Sequence, residues 1–178
     1  MQSFTYSGFL RFLYRYGNIP VTILLSIYAV SLAVNLDKGI VFIIPFVVTF
    51  LLIYFLNRHY LMLYKILPYK IEVDNEKMIC SDFLFYKEPV TIFFKDISSL
   101  EGGIFQGRLS GVMRIKDGTH NRTVGFYDKI KDSRKLETFI LSKVDRKIYN
   151  DVVERLGMKK DKDKEKEIIV HPRHLRMI

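Results

Sequence analysis

Two uninterrupted apolar runs dominate this chain. Residues 19–36 carry no charge, residues 39–56 carry none, and Asp37 and Lys38 are the only charged side chains between them. Each run is 18 residues long, about 27 Å as an α-helix, which is close to the thickness of a bilayer's hydrocarbon layer. A helix of a soluble protein keeps a polar face at a period of 3.6 residues, and these runs keep none. A helix apolar all round must be covered on every side, and 178 residues hold too little protein to cover two. The runs therefore read as a transmembrane hairpin, residues 19–67, with Asn35-Leu36-Asp37-Lys38-Gly39-Ile40 as its turn. A cleavable signal has a shorter apolar core and a small-residue cleavage site, and neither is present.

The flanking cations set the orientation. Arg11 and Arg15 precede the hairpin, Arg58, Lys65 and Lys70 follow it, and the turn has only Lys38 beside Asp37. The positive-inside rule then puts both termini on the cytoplasmic or matrix-equivalent side of the membrane, with the turn outside. Residues 1–18 form an expected interfacial segment. Tyr6, Phe9, Leu10 and Leu13 fall at helical spacing, with Arg11 and Arg15 elsewhere on the wheel, as in a helix lying among headgroups. Gly17-Asn18 breaks the chain, Pro20 suits the first turn of the next helix, and Pro45 kinks the second one. The pattern after residue 56 extends that second helix inward, to a stop near Pro68.

From Tyr69 the periodicity changes to two. Tyr69, Ile71 and Val73 alternate with Lys70, Glu72 and Asp74, the pattern of a half-buried strand. Residues 77–85, 88–94, 97–105, 109–117 and 121–128 give five more short strands, separated by turn signals that include Asp117-Gly118. Leu136, Phe139, Ile140, Val144, Ile148, Val152 and Leu156 then lie at helical spacing between Ser133 and Gly157, as one helix closing the sheet. Residues 69–157 thus read as one cytoplasmic domain, a sandwich or partly open barrel. Residues 158–178 read as an alternating-charge linker followed by a docking peptide carrying Ile168, Ile169, Val170 and Arg173.

The chemistry in the sequence is sparse. The net charge is +9 and there is one cysteine, Cys80, which reads as a small buried apolar side chain. Phosphate-binding glycine loops, HExxH and GxSxG are absent. No catalytic residue, metal ligand or cofactor site is assigned, and His59 lacks a second ligand at the next helical turn. Asn121-Arg122-Thr123 is a glycosylation sequon by chance if this segment lies inside the cell. The cations are scattered among acids without a motif for reading bases, so nucleic acid is not an expected partner. One segment stands out: residues 102–111, GGIFQGRLSG, join four glycines to an exposed-looking Phe105 and to Arg108.

Two membrane helices, several short strands and a closing amphipathic helix resemble the bacterial membrane-anchored PH-like domain family, over about residues 20–145. PYKIEVDNEKMICSD, FFKDISSLEGG, GRLSGVMRIKDG and DSRKLETFILSKV carry the resemblance. It implies a membrane α+β protein: a transmembrane hairpin, then a small antiparallel PH-like β-barrel capped by a C-terminal helix. It transfers no active site. The expected function is that of a non-enzymatic accessory or assembly subunit of a larger membrane complex. The alternative is sensing of an anionic lipid surface. Arg11, Arg15, Arg58, Lys65, Lys70 and Arg108 are the candidates for lipid headgroups. Phe105, Ile168, Ile169, Val170 and Arg173 are the candidates for docking a partner.

Overall fold

A computed structural model describes residues 1–108 and 110–157; Ile168, Ile169, Val170 and Arg173 lie outside them. The chain starts with a strand that the sequence did not suggest. β1 (Gln2–Thr5) precedes α1 (Gly8–Tyr16), α2 (Asn18–Ala33) and α3 (Ile40–Ile66). It then pairs antiparallel with β2 (Lys70–Val73), with Phe4 opposite Ile71. The whole helical hairpin is therefore inserted between two neighbouring strands of one sheet. The expected interfacial segment 1–18 is split by this pairing. Phe4 and Tyr6 are 4% and 6% exposed inside the sheet domain, and only α1 keeps the helical spacing. Ser7 caps α1, its hydroxyl accepting from the Leu10 N–H at 3.4 Å.

Gly17, expected to break the chain, has φ −63° and ψ −23°, so α1 leads straight into α2. The turn at residues 35–39 is as the polar knot suggests. Leu36–Lys38 make one 3₁₀ turn. The Asn35 amide donates to the Ser31 carbonyl at 2.8 Å, and Lys38 Nζ donates to Asn35 Oδ1 at 2.6 Å. Gly39 follows at φ +127°, a backbone state that disfavours side chains with a Cβ. In α3 the Thr49 hydroxyl donates to the Pro45 carbonyl at 2.7 Å. Two helical stretches, Gly8–Ala33 and Ile40–Ile66, are long and apolar enough to cross a membrane, and only 6% of each apolar window is buried. Leu24, Ile27, Val30, Val41, Phe50 and Phe55 are among the side chains left outward. A core helix of a soluble domain would have such residues covered.

β2 continues through β3 (Lys77–Ser81) to β4 (Val90–Phe93), and the first sheet has the order β1-β2-β3-β4. The second sheet is β5 (Ile97–Glu101), β6 (Val112–Asp117) and β7 (Arg122–Tyr127), in that order. The six strands expected from alternation are all present, though shorter. Two sheets are present, within the sandwich or partly open barrel that alternation suggests, and no ladder joins them among the described residues into the closed barrel that the resemblance implies. Other bonds tie them. The Tyr127 N–H donates to the Tyr6 hydroxyl at 2.8 Å and the Lys131 N–H to the Thr5 carbonyl at 3.0 Å. Ile71, Met78, Cys80 and Ile92 meet Leu100, Met113, Ile115 and Phe126 in the core, all at 0% exposure.

The closing helix is two helices. α4 (Ser133–Lys143) stops at Val144, which is extended (φ −75°, ψ 161°). α5 (146–157) then begins with Asp145 accepting from the Lys147 N–H at 2.7 Å. That side chain makes Asp145 a cap, so the apolar stripe crosses a break that its spacing hides. Leu136, Ile140 and Val152 from the two helices are fully buried.

Asp117 holds the β6–β7 turn. Its Oδ1 accepts from the Thr119 and His120 N–H groups at 2.9 and 3.2 Å, and Oδ2 lies 2.9 Å from His120 Nδ1. Burial pushes this carboxyl's pKa up, but the His120 and Thr119 bonds outweigh burial and hold it below the ordinary value. A lowered carboxyl pKa stabilises the fold above the ordinary carboxylate pKa, about 4, and the contribution is lost as pH falls through the lowered value. Asp117→Ala is expected to cost about 2 kcal/mol at neutral pH. The gap between variant and parent in denaturant titrations should narrow below about pH 4.

Candidate functional site

Polar contacts tie α1 and α2 to α3 beside the sheet domain. Asn57 Nδ2 donates to Thr22 Oγ1 at 3.0 Å, and Asn18 Nδ2 donates to Asn57 Oδ1 at 3.0 Å. The Tyr64 hydroxyl lies 2.7 Å from Asn18 Oδ1 and 2.8 Å from the Arg15 carbonyl. Each such bond between apolar helices is worth roughly 0.6–2 kcal/mol. The chain of them fixes how α1 and α2 lie on α3. On the domain side, Tyr14 of α1 stacks on Tyr127 of β7, with ring centroids 4.5 Å apart.

Four of the six proposed headgroup cations are engaged within the protein. Arg11 and Arg15 both pair with Asp82, and both guanidinium groups lie over the Tyr69 ring, at 5.8 and 5.6 Å. Arg15 Nε and Tyr69 Oη have no hydrogen-bond partner among the described residues. Burial raises the Tyr69 hydroxyl's pKa, with Arg15 opposing. These two arginines are a clamp between α1 and the end of β3, not a free headgroup pair. Lys70 pairs with Glu72 at 3.0 Å. Arg58 donates to the Tyr54 hydroxyl at 2.8 Å and lies over its ring.

The remaining two line cavities. Lys65 shares one of about 340 Å³ with Arg122, Tyr86 and Glu88, between β4 and β7, each at the free edge of its sheet. Arg108 shares another, also about 340 Å³, with His59 of α3 and Arg114 of β6. Gly102, Gly103, Gln106, Arg108, Ser110 and Gly111 of the glycine-rich segment line the second cavity. At Gly102 the chain leaves β5 with φ +74°, where an added Cβ would sit 2.2 Å from the Val112 carbonyl oxygen. Residues Gly103–Gln106 then make a 3₁₀ turn. That turn drops Phe105 into the core at 0% exposure. The expected docking role of Phe105 is thereby corrected: it anchors the loop from within.

The charge of this second cavity is lopsided. Glu101 is its acid, and Lys116 holds it at 2.8 Å and depresses its pKa. His59, Arg108 and Arg114 have no ion pair among the described residues. Arg108 was legible from its glycine-rich setting. Arg114 was not, since an outward arginine on an alternating strand has no local signature, and His59 lies on another element. The Cys80 thiol is enclosed in β3, and burial pushes its pKa up. Among the described residues no three His, Cys, Asp or Glu side chains are grouped as metal ligands would be.

No family model, no curated protein and no solved structure matches this chain.

Proposed function

We propose that this chain is an integral membrane protein whose α2–α3 hairpin spans the bilayer and holds a PH-like sheet domain against the cytoplasmic face. The domain acts there without enzymatic chemistry, as a docking module of a larger membrane complex. One observation carries the reading: a hairpin apolar on its outer surface is inserted between β1 and β2 of one sheet. Such a domain is held at a fixed height and angle, as a docking surface requires, rather than swinging on a linker. Four strands, then three, then two packed helices support the PH-like assignment. Arg58 and Lys65 in the last turns of α3, beyond its charge-free stretch, against Asp37 and Lys38 in the turn, support the orientation.

Gentle detergent extraction of the tagged full chain tests the assignment. Other membrane proteins should co-purify in fixed ratio, and a monodisperse chain on its own would sink the subunit reading. A cysteine replacing Asp37, in a Cys80→Ser background, should react with an impermeant thiol reagent added from outside. Reaction only from the cytoplasmic side would reverse the topology.

A further inference from the structure

We propose that the cavity between α3 and the glycine-rich segment 102–111 binds the phosphodiester of an anionic membrane lipid, using Arg108 and Arg114. The inference rests on the reading that α3 spans the membrane, and it adds a ligand and a site to that reading. Three observations converge on it. The first is depth. The charge-free stretch of α3 ends at residue 56, and His59, in the cavity wall, is three residues further on. That is about 4.5 Å along the helix axis, within the headgroup layer, roughly 5–8 Å thick on each side.

The second is charge. Arg108 and Arg114 are exposed and make no ion pair among the described residues; the cavity's one acid, Glu101, sits opposite Arg114 in the β5–β6 ladder but is held by Lys116 at 2.8 Å, which leaves the three cations in excess over it. Two guanidinium groups facing one cavity suit a phosphate, which takes paired N–H donors in the plane of each. The third is shape. A cavity of about 340 Å³ is in the range of small-ligand sites, and Gln106 and Ser110 add polar side chains to its wall. Two other cavities differ in this respect: Lys65 and Arg122 share one with Glu88, and the one that adjoins at Arg108 is also lined by Asp128 and Glu137, whose carboxylates oppose an anion.

Native mass spectrometry of the full chain in detergent tests the site, with phosphatidylglycerol, phosphatidylcholine or inorganic phosphate added. Phosphatidylglycerol should bind at least tenfold tighter than phosphatidylcholine, and the Arg108→Gln/Arg114→Gln double variant should lose about thirtyfold of that affinity. Arg146→Gln, which changes an exposed cation of α5, should bind like the parent. Equal affinity for the two lipids overturns the site, as does an equal loss in Arg146→Gln, which would mean diffuse electrostatics. Inorganic phosphate binding as tightly as phosphatidylglycerol overturns the lipid assignment in favour of a soluble ligand. Each variant is first floated with phosphatidylcholine vesicles. A parent chain that stays in the aqueous fraction overturns the membrane reading itself, whereas one that floats without lipid preference overturns only the site. Protection of Cys80 from a thiol reagent shows that the double variant is folded.

Discussion

Phe105→Ala is expected to destabilise the sheet domain by about 3–5 kcal/mol, the usual cost of removing a fully buried phenylalanine. The side chain is at 0% exposure among Leu100, Met113, Leu136 and Ile140. It also fixes the 3₁₀ turn that shapes the cavity. For a domain of about 100 residues such a loss lowers the melting temperature by more than about 10 °C. The protein supplies its own reporter. Cys80 is the single cysteine and is fully enclosed. A thiol-reactive dye will therefore label the chain only as the domain opens. Labelling against temperature gives the shift directly. An unchanged midpoint would return Phe105 to the surface, as a docking side chain.

Deleting residues 2–6 should have a larger effect. It removes β1, and with it Phe4 and Tyr6. The Tyr6 ring packs edge-on against Tyr14 and Tyr69, with centroids at 5.6 and 6.1 Å, and its hydroxyl satisfies the Tyr127 N–H. Each large aromatic side chain is worth about 3–5 kcal/mol in such a setting. Their sum rivals the total stability of an ordinary domain, about 5–15 kcal/mol. Dye should reach Cys80 at room temperature without denaturant, while the truncated chain still fractionates with membranes through α2 and α3. Parent-like protection of Cys80 would show that β1 is dispensable.

The fate of β1 also shows where the sequence stops being informative. The hairpin is legible because it obeys a solvent rule: no charge for 18 residues, twice. The later strands are legible because alternation is local, and each pairs with a strand next to it in sequence. β1 has four residues with one buried side chain, Phe4, and its partner follows α3. A pairing that distant leaves no periodic trace beside it. Tyr6 at helical spacing from Phe9 and Leu10 then invites a helical reading of the wrong residues. The cavity follows the same logic. Arg108 stands out among glycines, but Arg114 belongs to an ordinary strand and His59 to the long apolar helix α3. Only packing of α3 against the second sheet, where Ile66 approaches Gly125, brings the three to one place. The α4–α5 break was hidden for another reason. Its apolar stripe is continuous in spacing, and the capping carboxylate of Asp145 outweighs a stripe that tolerates a corner.

The insertion of the hairpin between β1 and β2 also dictates an order of assembly. During synthesis β1 emerges first and has no partner until residues 70–73 leave the ribosome. At about 5–20 residues per second, the chain between them takes roughly 3–13 s to appear. Both helices are made within that interval. If they enter the bilayer as they are made, the first sheet can be completed only after the hairpin is in place, and the domain's closure becomes a checkpoint on membrane insertion.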